Sequence, residues 1–336
     1  MDVNKILWLC HPESDYGEAF LYHGLKRFLG ESNVLEYPNK LSYHGKVDTS
    51  YTLPDGKQGM TCPLPWMPSY PEYPMSEEDV IDRVQNSWFD VVVLSAPRKT
   101  GIDVLRTLKS RLGNVIPIPV VICDGEDAGK VRSDLWGEFG AKVMFKREYT
   151  TNTRHMYPLP FASPADQYPD LNGIEKDTDI VFLMGLTSPK RTEIYKAVTS
   201  LREEFEVYAA LMPDSDRSNQ DMFLPWSSYI RKTASAKIAV SVRGFGWDTC
   251  RYWEIPPTGT LMLCDRIGIQ VPNPFQEGVH IACFDTVEDF ISKARHFIEN
   301  DEERERIAAA GKEHAMNYHT CEARGRYFVE KLREIN

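Results

Sequence analysis

Asp179-Ile-Val-Phe-Leu-Met-Gly185-Leu-Thr-Ser188-Pro-Lys190-Arg191 is an apolar run of strand length that ends in glycine and turns at once into a helix start. Serine is a good N-cap, and proline suits the first helical position, where its missing N–H has no partner to lose. A strand that is apolar throughout, rather than at alternate positions, belongs in a parallel sheet covered on both faces. The pattern recurs on both sides of this stretch. Before it come strands over Lys5–Cys10, Asn33–Tyr37, Asp90–Leu94, Ile118–Cys123 and Lys142–Phe145. Helical spacing of apolar residues marks Phe20–Leu29, Glu77–Trp88, Ile102–Leu112 and Ala128–Phe139 between them. After it come strands at Glu206–Ala210, Lys237–Val242, Thr260–Cys264 and His280–Phe284, with helices over Pro189–Leu201, Trp226–Ala234, Thr249–Ile255, Val287–Glu299, Asp301–Ala310 and Cys321–Ile335.

Alternating strands and helices over 336 residues, at roughly 150 residues per domain, predict an α/β protein with two doubly wound, Rossmann-like domains facing across a cleft. The expected division is residues 1–160 for an N-terminal domain, 161–178 for a linker and 179–320 for a C-terminal domain. Residues 321–336 form a last helix that packs back on the first domain. The linker falls where prolines cluster without any periodicity. Residues 38–76, rich in Pro, Gly, Tyr and Ser, read as a long excursion, either functional or an insertion packed through its tyrosines and Trp66.

Composition narrows the function. Asp and Glu number 49 against 39 Lys and Arg, a net charge of −10, which argues against extended nucleic-acid binding, since that affinity comes largely from phosphate neutralisation. The longest apolar runs, such as Val91–Leu94, fall far short of the roughly 20 residues that cross a bilayer. The first twenty residues lack the apolar core of a secretory signal. Seven scattered cysteines with no CxxC pair fit buried thiols in a reducing compartment, so a cytoplasmic location is expected. The chain has no GxxxxGK[ST] phosphate loop, no HExxH, no GxSxG elbow and no complete GxGxxG.

In doubly wound sheets ligands bind beyond the carboxyl ends of strands, so chemistry is sought in the loops there. Thr187, Ser188, Lys190 and Arg191 sit where a helix begins. Cations in a first turn oppose the helix dipole; either they are solvated, or they converge with the helix N–H groups on a phosphate or diphosphate. A glycine loop follows the strand ending at Val242: Arg243-Gly244-Phe-Gly246-Trp-Asp248-Thr249-Cys-Arg251-Tyr-Trp-Glu254. Glu254 either pairs with Arg251 or Arg243, or accepts hydrogen bonds from vicinal hydroxyls such as those of a ribose.

Arg251-x-x-Glu254-x-x-x-x-Gly259 before an apolar strand resembles the nucleotide-binding signature of GT-B glycosyltransferases, most nearly the group 1 type known as CgeB-like or spore-maturation-like proteins. The Gly185-x-Thr-Ser-Pro-Lys-Arg191 loop, Asp285-Thr-Val-Glu-Asp-Phe and the tail from Asp301 through Gly311 to His319-Thr and Arg324 agree with it. The resemblance covers about 179–332. It implies the GT-B fold and transfer of a hexosyl or related sugar, with a nucleoside diphosphate sugar as co-substrate, no cofactor and no metal. By this resemblance Thr187, Ser188, Lys190, Arg191 and Arg243 hold the donor diphosphate, while Gly244, Gly246, Asp248, Thr249, Arg251 and Glu254 hold ribose and sugar. Glu254 matches the second Glu of the E-x7-E motif; Gly246 stands where the first belongs, and Asp248 is the nearest acid.

The acceptor, whether a glycan, a small molecule or a modified base, belongs to the N-terminal domain. If the reaction inverts, a general base is expected there: His11, Glu13 or Asp15 after the first strand, or Asp124, Glu126 or Asp127 after Cys123. His11 has the suitable ordinary pKa, although a histidine before proline is equally a turn residue. The acidic run from Asp124 either binds sugar hydroxyls or caps the next helix. Asp214-Ser-Asp216 is the nearest metal-type pair and reads as a solvated turn. The competing readings are a nucleotide-sugar epimerase or phosphorylase of the same fold, and a non-catalytic nucleotide-sugar-binding protein.

Overall fold

The computed structural model describes residues 2–49, 51, 58–127, 129–213 and 224–335; Asp214-Ser-Asp216 lies outside them. The chain divides into two compact units. The residues up to Pro160 together with those from Cys321 onward form the first, and Phe161–Thr320 the second. The proline-rich segment 161–178 is thus part of the second unit, where Phe161 N donates to Asp248 at 2.7 Å and Tyr168 OH to the Glu254 carbonyl at 2.8 Å.

The first unit is a six-stranded parallel sheet in the order β2-β1-β3-β4-β5-β6, made of β1 (Ile6–Leu9), β2 (Val34–Tyr37), β3 (Val91–Leu94), β4 (Val120–Asp124), β5 (Val143–Lys146) and β6 (Met156–Pro158). The last strand is three residues long and carries no periodicity of its own, so the sequence did not announce it. Helices α1 (Tyr16–Leu29), α2 (Glu77–Gln85), α3 (Lys99–Arg111) and α4 (Ser133–Phe139) connect the strands. Side chains alternate across a strand, so both faces can be buried. Leu7, Leu9 and Met144 pack with Val80, Leu105 and Leu135 of α2, α3 and α4. From the opposite face Trp8 meets Tyr22 of α1, and Phe145 meets Phe328.

Phe328 belongs to the unit's C-terminal helix, Cys321–Arg333, which lies against α1 through two glycines. A Cβ on Gly24 would stand 1.9 Å from the Cys321 carbonyl oxygen, and one on Gly325 would stand 2.6 Å from the Gly24 carbonyl. No side chain fits between these backbones.

The second unit is a five-stranded parallel sheet, ordered β11-β10-β9-β7-β8. Its strands are β7 (Thr178–Leu186), β8 (Val207–Pro213), β9 (Ala236–Ser241), β10 (Leu261–Asp265) and β11 (Ala282–Phe284). Helices α5 (Pro189–Ser200), α6 (Trp226–Ala234), α7 (Cys250–Glu254), α8 (Val287–Glu299) and α9 (Asp301–Tyr318) cover it, and α10 is the Cys321–Arg333 helix of the first unit. Ile180, Phe182 and Met184 face α5, α8 and α9, while Val181 and Leu183 join Tyr252 and Trp253 of α7 on the other side. The strand order reverses between β7 and β9, and such a reversal opens a crevice at the carboxyl ends. Among the described residues no helix is long and apolar enough to cross a membrane.

Candidate functional site

The β7–β9 reversal brings together the first two sequence loops. Ser188 has the extended backbone of an N-cap, yet its hydroxyl donates to the Arg243 carbonyl at 2.9 Å instead of capping α5. That bond ties the β9 loop to the helix start and leaves the first-turn N–H groups of α5 without a side-chain cap. Thr187 Oγ1 is buried and has no hydrogen-bond partner among the described residues. A buried hydroxyl without a partner costs free energy unless a ligand or water completes it. Gly244 is required here: a Cβ would come within 2.9 Å of Thr187 Oγ1 and 3.2 Å of Arg191 Nη2.

Lys190 and Arg191 separate. Arg191 is buried and donates to the carbonyls of Gly185 at 2.8 Å, Val242 at 3.0 Å and Arg243 at 3.1 Å. Its guanidinium therefore staples the end of β7 to the end of β9, which corrects the expectation that it faces a diphosphate directly. Lys190 stays at the rim, 3.8 Å from Asp265 Oδ2, and Arg243 lies 4.0 Å from the same atom with its guanidinium over Trp247. Asp265, at the end of β10, escaped the sequence reading although strand-end position was its signal. Burial pushes its carboxyl up, against the pull of the Arg243 N–H, Lys190 and Arg243.

Around α7 the assignments divide again. Asp248 accepts from Phe161 N at 2.7 Å and from Trp253 Nε1 at 2.6 Å. Both oxygens serve the fold, so Asp248 does not replace the missing first Glu of the E-x7-E pattern. Gly246 offers its carbonyl to Gly244 N at 3.1 Å, closing the loop on itself. Thr249 caps α7 only through its backbone. Arg251 donates Nε to the Leu183 carbonyl and lies over the Tyr229 ring. Glu254 is buried, accepts from Tyr229 OH at 3.1 Å and forms no ion pair within 4 Å of Arg251 or Arg243 among the described residues. Burial raises its pKa, with Arg251 and Tyr229 opposing.

In the first unit the candidate bases have distinct surroundings. His11 is buried with Nε2 2.9 Å from Glu18 Oε2. Glu18 also meets Tyr43 OH at 2.7 Å and Lys40 Nζ at 3.3 Å. Burial pushes the Glu18 carboxyl up, but Lys40, His11 and Tyr43 outweigh it and hold the pKa at about 2. Asp15 is the N-cap of α1, accepting from Glu18 N at 2.9 Å. Glu126 is half-exposed, 3.5 Å from Arg98, and Asp127 pairs with Arg147. Asp124 differs. It is buried at the end of β4, with Oδ1 3.1 Å from Lys146 Nζ and taking the Glu126 N–H at 3.1 Å. Its Oδ2 has no partner among the described residues, and neither does the buried Ser95 Oγ. Asp124 and Ser95 line a small internal cavity with Glu18, Arg147 and Arg324. Ser95, Lys146 and Arg147 were not read from the sequence.

Residues 191–330 match the family described as glycosyl transferase-like. No curated protein matches the chain in sequence. Among solved structures, a glycosyltransferase from Rickettsia africae ESF-5 is 11% identical over 100% of this chain and 99% of its own, with a TM-score of 0.65. Anabaena Alr3699/HepE in complex with UDP and glucose is 11% identical over 98% of this chain and 99% of its own, with a TM-score of 0.58. The same protein in complex with UDP-glucose gives 0.53 at 11% identity over the same shares. At such identities the likeness is one of fold: two parallel α/β units arranged in sequence as in GT-B folds.

Proposed function

We propose that the protein transfers a sugar from a nucleoside diphosphate sugar, held by the second unit, to an acceptor hydroxyl held by the first, without a metal. The observation that carries this reading is the β7–β9 crevice, where an uncapped helix start, the unpartnered Thr187 hydroxyl and rim cations stand beside a glycine against which Thr187 and Arg191 pack closely. Helix N–H groups and cations suit phosphate oxygens. As the bond from the sugar C1 to the phosphate oxygen breaks, that oxygen leaves with the electron pair. The dipole of α5, Lys190 and Arg243 stabilise the charge it gains. In the inverting form of the reaction, Asp124 takes the proton of the attacking hydroxyl. Lys146 Nζ stands 3.1 Å from Asp124 Oδ1, and Oδ2, without a partner among the described residues, has capacity to accept.

UDP is the first nucleotide to test, because Alr3699/HepE carries it. In calorimetry, replacing both Lys190 and Arg243 with Ala should weaken UDP binding by a few kcal/mol, at roughly 1.5–3 for each charge-assisted bond lost. Arg191→Met should instead lower the melting temperature, because it leaves three carbonyls without their donor. Unchanged UDP affinity in the double variant would sink the donor site. Turnover abolished by EDTA and restored by manganese would contradict the metal-free step. Sugar transfer from a UDP-sugar panel to added acceptors, rather than isomerisation or binding alone, separates the transferase from an epimerase and from a passive binder.

A further inference from the structure

One half-open space in the first unit plays no part in the donor chemistry. It is a cavity of about 610 Å³ lined by, among others, Glu13, Tyr37, Tyr51, Glu77, Lys99 and Asp103. These residues come from the loop after β1, the end of β2, the 38–76 excursion and the first turns of α2 and α3, so the space lies beyond the carboxyl ends of the sheet. Its volume falls within the roughly 300–1,000 Å³ typical of small-molecule sites.

Tyr51 is delivered there by the excursion. Its hydroxyl is 2.7 Å from Thr61 Oγ1, and its carbonyl accepts from Gly59 N at 2.9 Å and Gln58 Nε2 at 3.2 Å. Asp48 and Thr61 form an antiparallel bridge. The excursion is in turn anchored to the buried Glu18 and Glu36 carboxylates through Lys40, Tyr43 and His44. Holding Lys40, Tyr43, His44 and Tyr51 in place costs conformational entropy, and what is gained at this end is an aromatic wall on a cavity.

The lining chemistry is selective. Two tyrosine rings offer flat apolar faces with polar edges, which suit the C–H face of a sugar ring. Three carboxylates offer acceptors in excess of any donor, and hydroxyl groups supply donors. Lys99 is the single cation of the six named side chains; it lies 3.3 Å from Asp103, and Glu77 is 2.9 Å from Arg111. Set against Lys99 and Arg111, the three carboxylates leave one negative charge in excess, which disfavours anions. We propose that this cavity binds an uncharged sugar residue of the acceptor, and that Tyr51 is the residue that selects it. The inference rests on the glycosyltransferase reading and gives its unknown acceptor a chemical class.

Saturation-transfer NMR on the full chain reads the cavity without turnover. The neutral probes are the methyl glycosides of glucose, galactose, mannose and N-acetylglucosamine; the anionic ones are glucuronic acid and glucose 6-phosphate. At least one neutral glycoside should receive saturation, and neither anion should. Tyr51→Ala and Asp103→Asn should each raise its Kd tenfold or more, while Tyr51→Phe, which keeps the ring, should stay within about threefold. Absence of binding by every neutral probe overturns the proposal, as does equal binding of the anions or an unchanged Kd in Tyr51→Ala. UDP calorimetry on the same samples reads the second unit separately, and an unshifted melting transition of the first unit shows that each variant is folded there. UDP binding without glycoside binding overturns the cavity assignment alone; glycoside binding without UDP binding overturns the donor reading alone.

Discussion

Lys190 and Arg191 are neighbours with the same formal charge, and the fold gives them different tasks. A planar guanidinium with five donors can satisfy several carbonyls at once, which an ammonium on a flexible stem does poorly. Arg191 therefore goes inward and Lys190 stays at the rim. Glu254 poses the same question of inside against outside. Burial raises its pKa above the ordinary 4.5, with Arg251 and Tyr229 only partly offsetting this. An acid whose folded pKa is raised holds its proton more tightly in the native state, so its share of stability grows as pH falls through that raised value. Ribose hydroxyls, in contrast, donate best to the ionised form. UDP affinity should then fall on acidification at a pH above the usual carboxylate range. Glu254→Gln should cost roughly 1.5–3 kcal/mol of affinity at neutral pH and flatten the pH dependence. Calorimetry across pH on both proteins checks it; a variant with altered melting temperature and unaltered UDP affinity refutes the ribose role.

At the scale of elements, α1 and β2 hold the 38–76 excursion through buried charge. Glu36 accepts from Tyr22 OH at 2.5 Å and faces His44 Nε2 at 2.8 Å, and Glu18 joins Lys40, Tyr43 and His11. Burial opposes charge on His44, but the bonds to Glu36 and the Tyr70 carbonyl raise its pKa above the ordinary 6.5. The signs define a window. The Glu18 contribution is complete above its unfolded value of 4.5 and is lost as pH falls towards about 2. The His44 contribution is complete below 6.5 and is lost as pH rises through its raised folded value. Urea unfolding followed against pH should show the first unit most stable between these limits. Glu18→Gln, which leaves Lys40 buried without its carboxylate, should cost roughly 3–5 kcal/mol and shrink the acid limb, to which Glu36 also contributes. An unchanged acid limb in that variant would refute the assignment.

None of this network was legible in the sequence, because its members are far apart along the chain and meet only through tertiary packing. The apolar strands were legible because a buried parallel strand needs no partner to declare itself. The β7 loop was legible for the same local reason. The bonds of Ser188 to Arg243 and of Asp248 to Phe161 and Trp253 were not legible, because a side chain's type shows its capacity to bond and not which acceptor or donor stands nearest.

At the scale of the molecule, the chain leaves the first unit after Pro160, builds the second, and returns at Cys321 to lay α10 on α1. The first unit is therefore incomplete until the last helix is made, while the second is continuous in sequence. This topology separates two readouts. UDP bound only to the native second unit stabilises it by RT ln(1 + [L]/Kd), about 2.7 kcal/mol at a hundredfold excess over Kd. For a unit of this size that corresponds to a rise of roughly 5–10 °C. Gly325→Val places a branched side chain where a single Cβ already meets the Gly24 backbone at 2.6 Å, so it should lower the melting of the first unit. Scanning calorimetry of this variant should resolve two transitions, with UDP raising the upper one and leaving the lower unmoved. A UDP shift of the lower transition alone would mean that the nucleotide sits in the first unit, and the donor assignment to the β7–β9 crevice would fall.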